Sequence, residues 1–313
     1  MKQVIFNVGG ALSVYTEFDD KKLLIDVGKS SEFNPIIDFL VPLYKRRNSE
    51  KIADSSKYKI DQIIISHPHK DHLSGIKDFN DNFFPDLLTC PNNNNGMPEG
   101  HLINWDLVGN EKEEFILTLR AMLEGRQPPL RTTSDQNEFI YYLPPQTVED
   151  EQELKSESYC NNISIATFLI INNYRVFLPG DLQKSGMEKI INQNYSLQNK
   201  LKGGVDVLIC PHHGLKSSFS TFMFNCMKNG KTNSLNIVSE KINNPDESRT
   251  VDARYSSSAY CNGNNNLKGG NSVEKCYQVK TSRGHIFIDY STKNHPSFEI
   301  ITDNERLINK FEN

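Results

Sequence analysis

Residues 66–72 read SHPHKDH and contain three histidines and one aspartate, directly after the apolar run at 63–65. Metal-binding and catalytic side chains are often placed where a strand ends in a turn, because the strand is a rigid support. His67 and His69 alternate to one side of the chain, and Asp71 and His72 follow as it turns. Imidazole nitrogens and carboxylate oxygens are typical ligands of zinc or manganese. This segment could therefore supply ligands to two neighbouring metal ions.

A cluster of this density could also bind a structural zinc ion. Structural sites are normally closed by four ligands, usually including thiolates, and no cysteine lies near residues 66–72. Histidine and aspartate sites leave positions open for water, as hydrolytic chemistry requires. The segment is therefore interpreted as a catalytic metal site.

Two further groups of potential ligands follow other apolar runs. The run at 174–178 leads into Pro179-Gly180-Asp181, and the run at 205–210 leads into Pro211-His212-His213-Gly214. Three separate strand ends thus carry histidines or a carboxylate.

Apolar and β-branched runs bounded by turn residues predict the strands that would position these groups. Asn172-Asn173 predicts a tight hairpin turn between two of them, because asparagine tolerates positive φ. Helices are predicted at 36–43, 111–125 and 217–227, with Pro42 ending or kinking the first, and the acidic run 149–158 is expected to be an exposed loop. The predicted strands lie at 3–8, 12–18, 23–28, 60–65, 163–171, 174–178, 205–210, 235–239, 277–281, 284–290 and 298–302.

The length of 313 residues allows one large α/β domain or two small ones. A net charge of −4 gives no global electrostatic footprint for duplex nucleic acid. Six scattered cysteines without a C-x-x-C pair indicate reduced thiols. Because there is no long apolar run and the first residues lead directly into strand-like sequence, we expect a cytoplasmic protein with no membrane partner.

The motif from His67 to His72 resembles the H-x-H-x-D-H signature of the metallo-β-lactamase superfamily. Further segments are similar to the metallo-hydrolase domain of the competence protein ComEC and its free-standing relatives. The resemblance implies a four-layer αβ/βα sandwich with the metal site at the shared edge of two sheets. It predicts a single domain over 1–313, with an insertion around 79–150. The segments that carry the ComEC-like resemblance are 8–10, 24–28, 161–164, 179–181 and 212–214.

The resemblance also implies two divalent cations, zinc or manganese. His67 and His69 would bind the first ion, Asp71 and His72 the second, and Asp181 would bridge both. One residue of the pair at 212–213 would add a ligand. His212 is favoured because it comes first after the strand, although the match does not decide between it and His213.

The sequence departs from the superfamily pattern at two places. Asn161 and Asn162 stand where many members have another histidine, as in the ComEC-like group, so the first ion would have one imidazole fewer and manganese becomes compatible. Leu215 occupies the first serine position of the pattern H-H-G-S-x-x-S. The candidate substrate contacts are His213, Lys216, Ser218 and Asn162.

Residues 216–218 could bind a phosphate through backbone N–H groups at a helix start, or Ser217 or Ser218 could be a helix N-cap. Two cations about 3.5–4 Å apart that share a water would generate a bridging hydroxide at neutral pH. Asp71 could orient this water or accept its proton, which makes it the candidate catalytic residue. His285 could protonate a leaving group, although an ordinary strand histidine is the favoured interpretation.

The leading hypothesis is a metal-dependent phosphodiesterase, a nuclease that acts on single-stranded DNA. The acidic charge balance argues against a long polyanion. The alternatives are a hydrolase of a small phosphodiester or ester, such as a nucleotide signal, and a non-catalytic metal-binding module. The expected partner is a nucleic acid or nucleotide substrate, and the sequence does not identify partner proteins.

Overall fold

The computed structural model describes residues 1–49, 51–52, 55–91, 103–109, 112–124, 137–240, 250–265, 267–269 and 275–312. These residues form two β-sheets that face each other, with helices packed on the outer face of each sheet. The architecture confirms the four-layer αβ/βα sandwich predicted from the sequence.

The strands of the described residues are β1 (Lys2–Ile5), β2 (Val14–Phe18), β3 (Lys21–Ile25), β4 (Tyr58–Ile64), β5 (Phe83–Thr89), β6 (Glu138–Tyr141), β7 (Ala166–Ile171), β8 (Tyr174–Leu178), β9 (Val207–Ile209), β10 (Leu235–Val238), β11 (Leu267–Lys268), β12 (Gln278–Lys280), β13 (His285–Asp289) and β14 (Ser297–Ile301). The first sheet has the order β11-β14-β13-β1-β2-β3-β4-β5 and the second the order β12-β10-β9-β8-β7-β6.

The parallel parts of both sheets position the strand ends that carry the predicted ligands. In the first sheet β3, β4 and β5 run parallel, and in the second β8, β9 and β10 run parallel. Neighbouring parallel strands end at the same edge of a sheet, which is where ligands usually bind in such folds. The ends of β3 and β4 are therefore neighbours, and so are the ends of β8 and β9.

Three apolar clusters stabilise the layers. Between the sheets, Ile25 and Ile64 belong to the same cluster as Leu178 and Ile209 of the opposite sheet. Full burial of one such side chain contributes ~1.5–3 kcal/mol. The other two clusters lie between each sheet and its helices.

The helices are α1 (Val41–Arg46), α2 (Lys70–Leu73), α3 (Ile76–Asn82), α4 (Trp105–Val108), α5 (Glu114–Glu124), α6 (Pro145–Asp150), α7 (Gln152–Asn162), α8 (Lys184–Gln193), α9 (Tyr195–Lys202), α10 (Thr221–Cys226) and α11 (Asn304–Glu312). None of the described helices is long and apolar enough to cross a membrane.

Two local predictions were wrong. Of the two outcomes predicted for Pro42, an end of the helix is wrong: a π-helical turn over Pro35–Leu40 continues into α1, and Pro42 lies in the first turn of α1. Proline is tolerated there because the first N–H groups of a helix lack intrahelical partners. The acidic run 149–158 is not a loop but falls in α6 and α7. Its charged residues face solvent while Leu154 is buried.

The hairpin prediction is confirmed, because β7 and β8 pair antiparallel around Asn172 and Asn173, whose φ angles are 48° and 69°. The block 79–150 supplies β5 and β6, the edge strands of the two sheets, and α5. Its description as an insertion in a single domain stays a prediction.

His285 begins β13 and is buried beside Phe33, with ring centroids 4.4 Å apart. Its Nδ1 accepts a hydrogen bond from the backbone N–H of Asn7 at 3.0 Å, and its Nε2 lies 3.2 Å from Asn304 Oδ1. Burial lowers the pKa of His285 to about 4, so the ring is neutral at pH 7. These contacts agree with an ordinary strand histidine rather than a proton donor.

Acidification should therefore destabilise the fold through His285. Its pKa in the folded state, about 4, lies below the ordinary value of 6.5. The contribution of His285 to the free energy of unfolding is therefore present above pH 6.5 and is lost as the pH falls towards 4. The full shift corresponds to about 3 kcal/mol. Urea unfolding of the wild type and of His285→Gln, at pH 7 and at pH 4, measures this contribution. The stability advantage of the wild type should shrink by about this amount at pH 4, and an unchanged advantage would contradict the assignment.

Candidate metal centre

The turns that follow β4, β8 and β9 meet at one edge of the sandwich. Two backbone hydrogen bonds hold this edge together: Ile165 N–H, just before β7, donates to Ser66 O after β4 at 2.9 Å, and His212 N–H after β9 donates to Gly180 O after β8 at 3.1 Å. This arrangement brings together all the side chains predicted as metal ligands, together with the second histidine of the pair: His67, His69, Asp71, His72, Asp181, His212 and His213.

Four of these residues form a compact group: Asp71, His72, Asp181 and His213 each offer one ligand atom, and all four atoms lie within 4.8 Å of one another. His72 Nε2 lies 3.3 Å from Asp181 Oδ2, and His213 Nε2 lies 3.4 Å from Asp71 Oδ2. Ligand atoms that share one ion at bond lengths of about 2.0–2.2 Å must approach each other to similar distances. The group includes His213 and not His212.

A second group adjoins the first. His67 Nε2 lies 3.0 Å from His69 Nδ1 and 3.9 Å from Asp181 Oδ2. His212 Nε2 also lies 3.9 Å from Asp181 Oδ2. The same carboxylate oxygen thus adjoins both groups, which is the placement required of a bridging ligand.

The backbone at the two consecutive histidines is unusual. His212 and His213 have φ angles of 46° and 56°, in the left-handed region that side-chain-bearing residues rarely adopt. Strain of this kind is tolerated where surrounding structure imposes it, and it occurs mostly at functional sites. Here it allows two adjacent side chains to approach Asp181.

Asp26, directly after β3, holds side chains of the centre in position. Its fully buried carboxylate accepts hydrogen bonds from the backbone N–H and the hydroxyl of Ser66, both at 2.7 Å, and lies 2.7 Å from His72 Nδ1. Because an ionised carboxylate only accepts, Nδ1 is the donor, and His72 Nε2 faces Asp181. Asp26 was not among the predicted site residues, although a carboxylate at the end of a predicted strand was the available signal.

Several buried polar atoms around the centre lack a hydrogen-bond partner. They are His72 Nε2, both ring nitrogens of His213, Asn161 Oδ1 and Gln183 Oε1. Buried polar atoms of native proteins almost always have partners, and these atoms surround an oxygen- and nitrogen-rich space. A divalent cation would accept the lone pairs directed into it, so the residues present fit the group.

The surroundings shift the pKa values of the carboxylates in the centre. Burial opposes charge on Asp181, but the charges of His72 and His213 hold the pKa of Asp181 well below its usual range. The pKa of Asp71 is also lowered, because its close contact with His213 and the charges of His72 and His213 outweigh burial. Both carboxylates are therefore anionic at neutral pH.

The histidines divide into two sets. Burial lowers the pKa values of His67, His69 and His212, so these rings are neutral, the form that binds metals. For His72 and His213, neighbouring carboxylates outweigh burial and raise the pKa values. A cation at the compact group would compete with protons for these two rings.

Two of the predicted substrate contacts face the protein interior. Asn162 is fully buried, with Nδ2 donating to Leu154 O at 3.0 Å and Oδ1 accepting from Gln183 N–H at 3.1 Å. Ser218 is fully buried, and its hydroxyl lies 2.8 Å from the carbonyl oxygen of Pro211. Both side chains have positions that support the turns around the centre.

The other predicted contacts face outwards or join the centre. Lys216 is exposed, and the exposed Ser217 places Oγ 3.3 Å from His212 Nδ1. His213 belongs to the compact group. Neither Ser217 nor Ser218 caps α10, because Ser220 does so by accepting from Met223 N–H at 3.0 Å.

Comparisons with known proteins agree with this geometry. Residues 7–156 match the family model described as the metallo-beta-lactamase superfamily. The match includes the HxHxDH motif and ends before Asp181. No curated protein matches the sequence.

The similarity to solved structures is distant. A CmlA beta-hydroxylase variant is 16% identical with a TM-score of 0.35 over 68% of this chain, and the chain spans 36% of that protein. A Thermotoga maritima protein assigned to the metallo-beta-lactamases is 17% identical with a TM-score of 0.34, covering 63% of this chain and 84% of that one. The metallo-beta-lactamase fold protein YhfI from Bacillus subtilis is 14% identical with a TM-score of 0.30, covering 67% and 70%.

Replacing Asp26 by Asn should weaken divalent metal binding without unfolding the chain. Asparagine tolerates the left-handed backbone of Asp26, whose φ is 57°, but it removes the charge that orients His72. Loss of such a supporting contact costs about 10- to 100-fold in metal affinity, and competition with a chromophoric chelator measures it. Asp289→Asn, in the strand end beside Met1, is the matched control. Equal affinities in the two variants would refute the role of Asp26.

Proposed function

We propose that this chain, which carries a metallo-β-lactamase superfamily domain, is a metal-dependent phosphodiesterase that hydrolyses single-stranded DNA. The superfamily consists in general of metal-dependent hydrolases that bind divalent ions, typically two. The observation that carries the proposal is the position of Asp181 Oδ2 between two groups of ligands, 3.3 Å from His72 Nε2 and 3.9 Å from His67 Nε2. Paired cations are widely used to cleave phosphodiesters.

Bound zinc or manganese ions would supply Lewis acidity and lower the pKa of a coordinated water to about 7. The chain itself positions the reacting groups. Asp71 has the most exposed carboxylate of the centre, with 42% of its side chain accessible against 2% for Asp181. Because the pKa of Asp71 is low, the carboxylate is ionised and can orient a water or accept a proton at its outer oxygen.

The surface around the centre carries positive charge. Lys70, Lys184 and Lys216 are exposed, and each lies within three residues of a proposed ligand. None of them forms an ion pair with another described residue, whereas Lys29 and Lys189 are both paired. Because these lysines lie on three different segments, at the starts of α2 and α8 and in a short helical turn after β9, they could contact successive phosphates of an extended strand. This local charge would offset the net charge of −4.

The acidic net charge favours a second candidate, hydrolysis of a small phosphodiester or ester such as a nucleotide signal. A small anion needs only the local charge at the centre, whereas a long polyanion is also repelled by the rest of the surface. Both candidates use the same residues for the chemical step.

A substrate comparison separates the candidates. With Mn²⁺ or Zn²⁺ added, the purified chain should cleave single-stranded DNA, because the lysines support binding of an extended phosphate chain. Gel electrophoresis of end-labelled DNA measures this cleavage. Bis-p-nitrophenyl phosphate and cyclic nucleotides serve as the small substrates. Turnover of the small substrates with DNA left intact would favour the second candidate and refute the first.

His69→Ala should abolish hydrolysis while the chain remains folded, because the imidazole serves the ions and not the apolar core. Circular dichroism and activity measured on the same preparation test this. Loss of the fold, with no turnover of any substrate by the wild type, would instead indicate a non-catalytic module in which the metal is structural.

Removing one lysine, in Lys70→Ala or Lys216→Ala, should raise KM for single-stranded DNA about 1.5- to fivefold and leave kcat nearly unchanged, since an exposed ion pair contributes ~0.2–1 kcal/mol. Steady-state kinetics at low salt measure both parameters. Lys293→Ala, in the exposed turn between β13 and β14, is the control. A KM that is equal in all three variants would contradict a role for these lysines in substrate binding.

A further inference from the structure

His212 lies where the first group of ligands lacks an imidazole. Asn161 occupies the position at which the sequence departs from the superfamily pattern, and its Nδ2 lies 3.5 Å from His212 Nε2. The first group otherwise contains His67 and His69, whose nitrogens lie 3.0 Å apart. An imidazole nitrogen is therefore present beside the short Asn161 side chain, although it comes from a different turn.

Gln183 contacts the other nitrogen of His212. Gln183 Nε2 lies 3.0 Å from His212 Nδ1, while Gln183 Oε1 is buried without a partner. Rotating this amide by 180° would place Oε1 as the acceptor of an Nδ1–H donor. The rotation satisfies the orphaned oxygen and directs the lone pair of Nε2 towards the centre. A metal-binding histidine typically has such a partner on its second nitrogen.

His213 has different surroundings. Both of its ring nitrogens are buried without a hydrogen-bond partner, and Nε2 lies 3.4 Å from Asp71 Oδ2 and 3.6 Å from Asp181 Oδ2. The centroids of the His212 and His213 rings are 6.1 Å apart, with planes inclined by 56°. His212 Nε2, by contrast, lies 3.9 Å from Asp181 Oδ2, and His212 is not part of the compact group.

We infer that the two consecutive histidines serve different ions, with His212 completing the group of His67, His69 and Asp181, and His213 completing the group of Asp71, His72 and Asp181. Gln183 is the positioning residue for His212. The inference rests on the two-ion centre proposed above. Each ion then has three ligands of its own and shares Asp181, and the first regains the third imidazole that Asn161 does not provide.

The assignment explains why the strained turn contains two histidines. A single left-handed residue would direct one ring to the centre, whereas two in succession bring adjacent side chains to separate ions. It also changes the expected metal preference, because three imidazoles favour zinc at the first position more than two do.

Zinc stoichiometry in paired variants tests the assignment without reference to catalysis. Elemental analysis and calorimetric titration are applied to the wild type, His212→Gly, His213→Gly, and each of these combined with His67→Ala. Glycine is used at 212 and 213 because it accepts the left-handed backbone. The expected contents are about two ions for the wild type and about one for each single variant. The double variant with His212→Gly should keep one ion, because both changes affect the same group, and the double variant with His213→Gly should keep none.

Two ions bound by His212→Gly with wild-type affinity would overturn the inference, as would loss of both ions in the double variant of His67 and His212. A wild-type chain that binds no zinc would overturn the two-ion centre itself, so the two failures are distinguishable.

Where a histidine variant does not fold, Gln183→Leu provides the test. It should weaken binding of one of the two ions about 10- to 100-fold and leave the other unchanged. Gln198→Leu is the matched control, because Gln198 lies on α9, away from the centre, and its side chain donates to Ile191 O at 2.9 Å. Unchanged affinity for both ions in Gln183→Leu would contradict the positioning role.

Discussion

The buried carboxylate of Asp181 is the group on which the arrangement of the centre depends. An ionised carboxylate with 2% of its side chain exposed would be strongly unfavourable without compensation. Here four imidazoles approach the same oxygen, those of His67, His72, His212 and His213, and the charges of His72 and His213 keep the pKa of Asp181 low. The turns after β4, β8 and β9 must converge for this to happen, and the packing of the two sheets on their shared apolar cluster brings these turns to one edge.

Support of the centre comes from groups that cannot themselves reach an ion. Asp26 fixes His72 and the Ser66 turn, and Asn162 fixes the backbone of Gln183, which in turn contacts His212. Because these contacts join different strand ends, the ligand positions are set by the tertiary fold rather than by the flexibility of single turns. Such preorganisation is what a site needs in order to bind ions at fixed spacing.

The sequence predicted the parts of the molecule whose signal is local. Apolar runs that end in histidine or aspartate identified β4, β8 and β9, and Asn172-Asn173 identified the hairpin turn. The role of Asp26 was not predicted, because a carboxylate after a strand has no distinguishing pattern until the fold brings His72 beside it. Which of His212 and His213 is a metal ligand could not be predicted either, since this depends on two left-handed residues and on contacts with Gln183 and Asp71. The helices over 145–162 were missed because acidic residues obscured the few buried apolar positions.

The central claim is that distant residues of this chain hold a pair of divalent ions around Asp181. X-ray absorption spectroscopy of the zinc-loaded chain tests it most directly, because scattering between neighbouring metals reports their distance. If two ions are bound around Asp181, we expect a metal–metal distance of about 3.5–4 Å together with imidazole scattering from the first coordination sphere. A spectrum of isolated ions with no metal–metal contribution at full loading would contradict it.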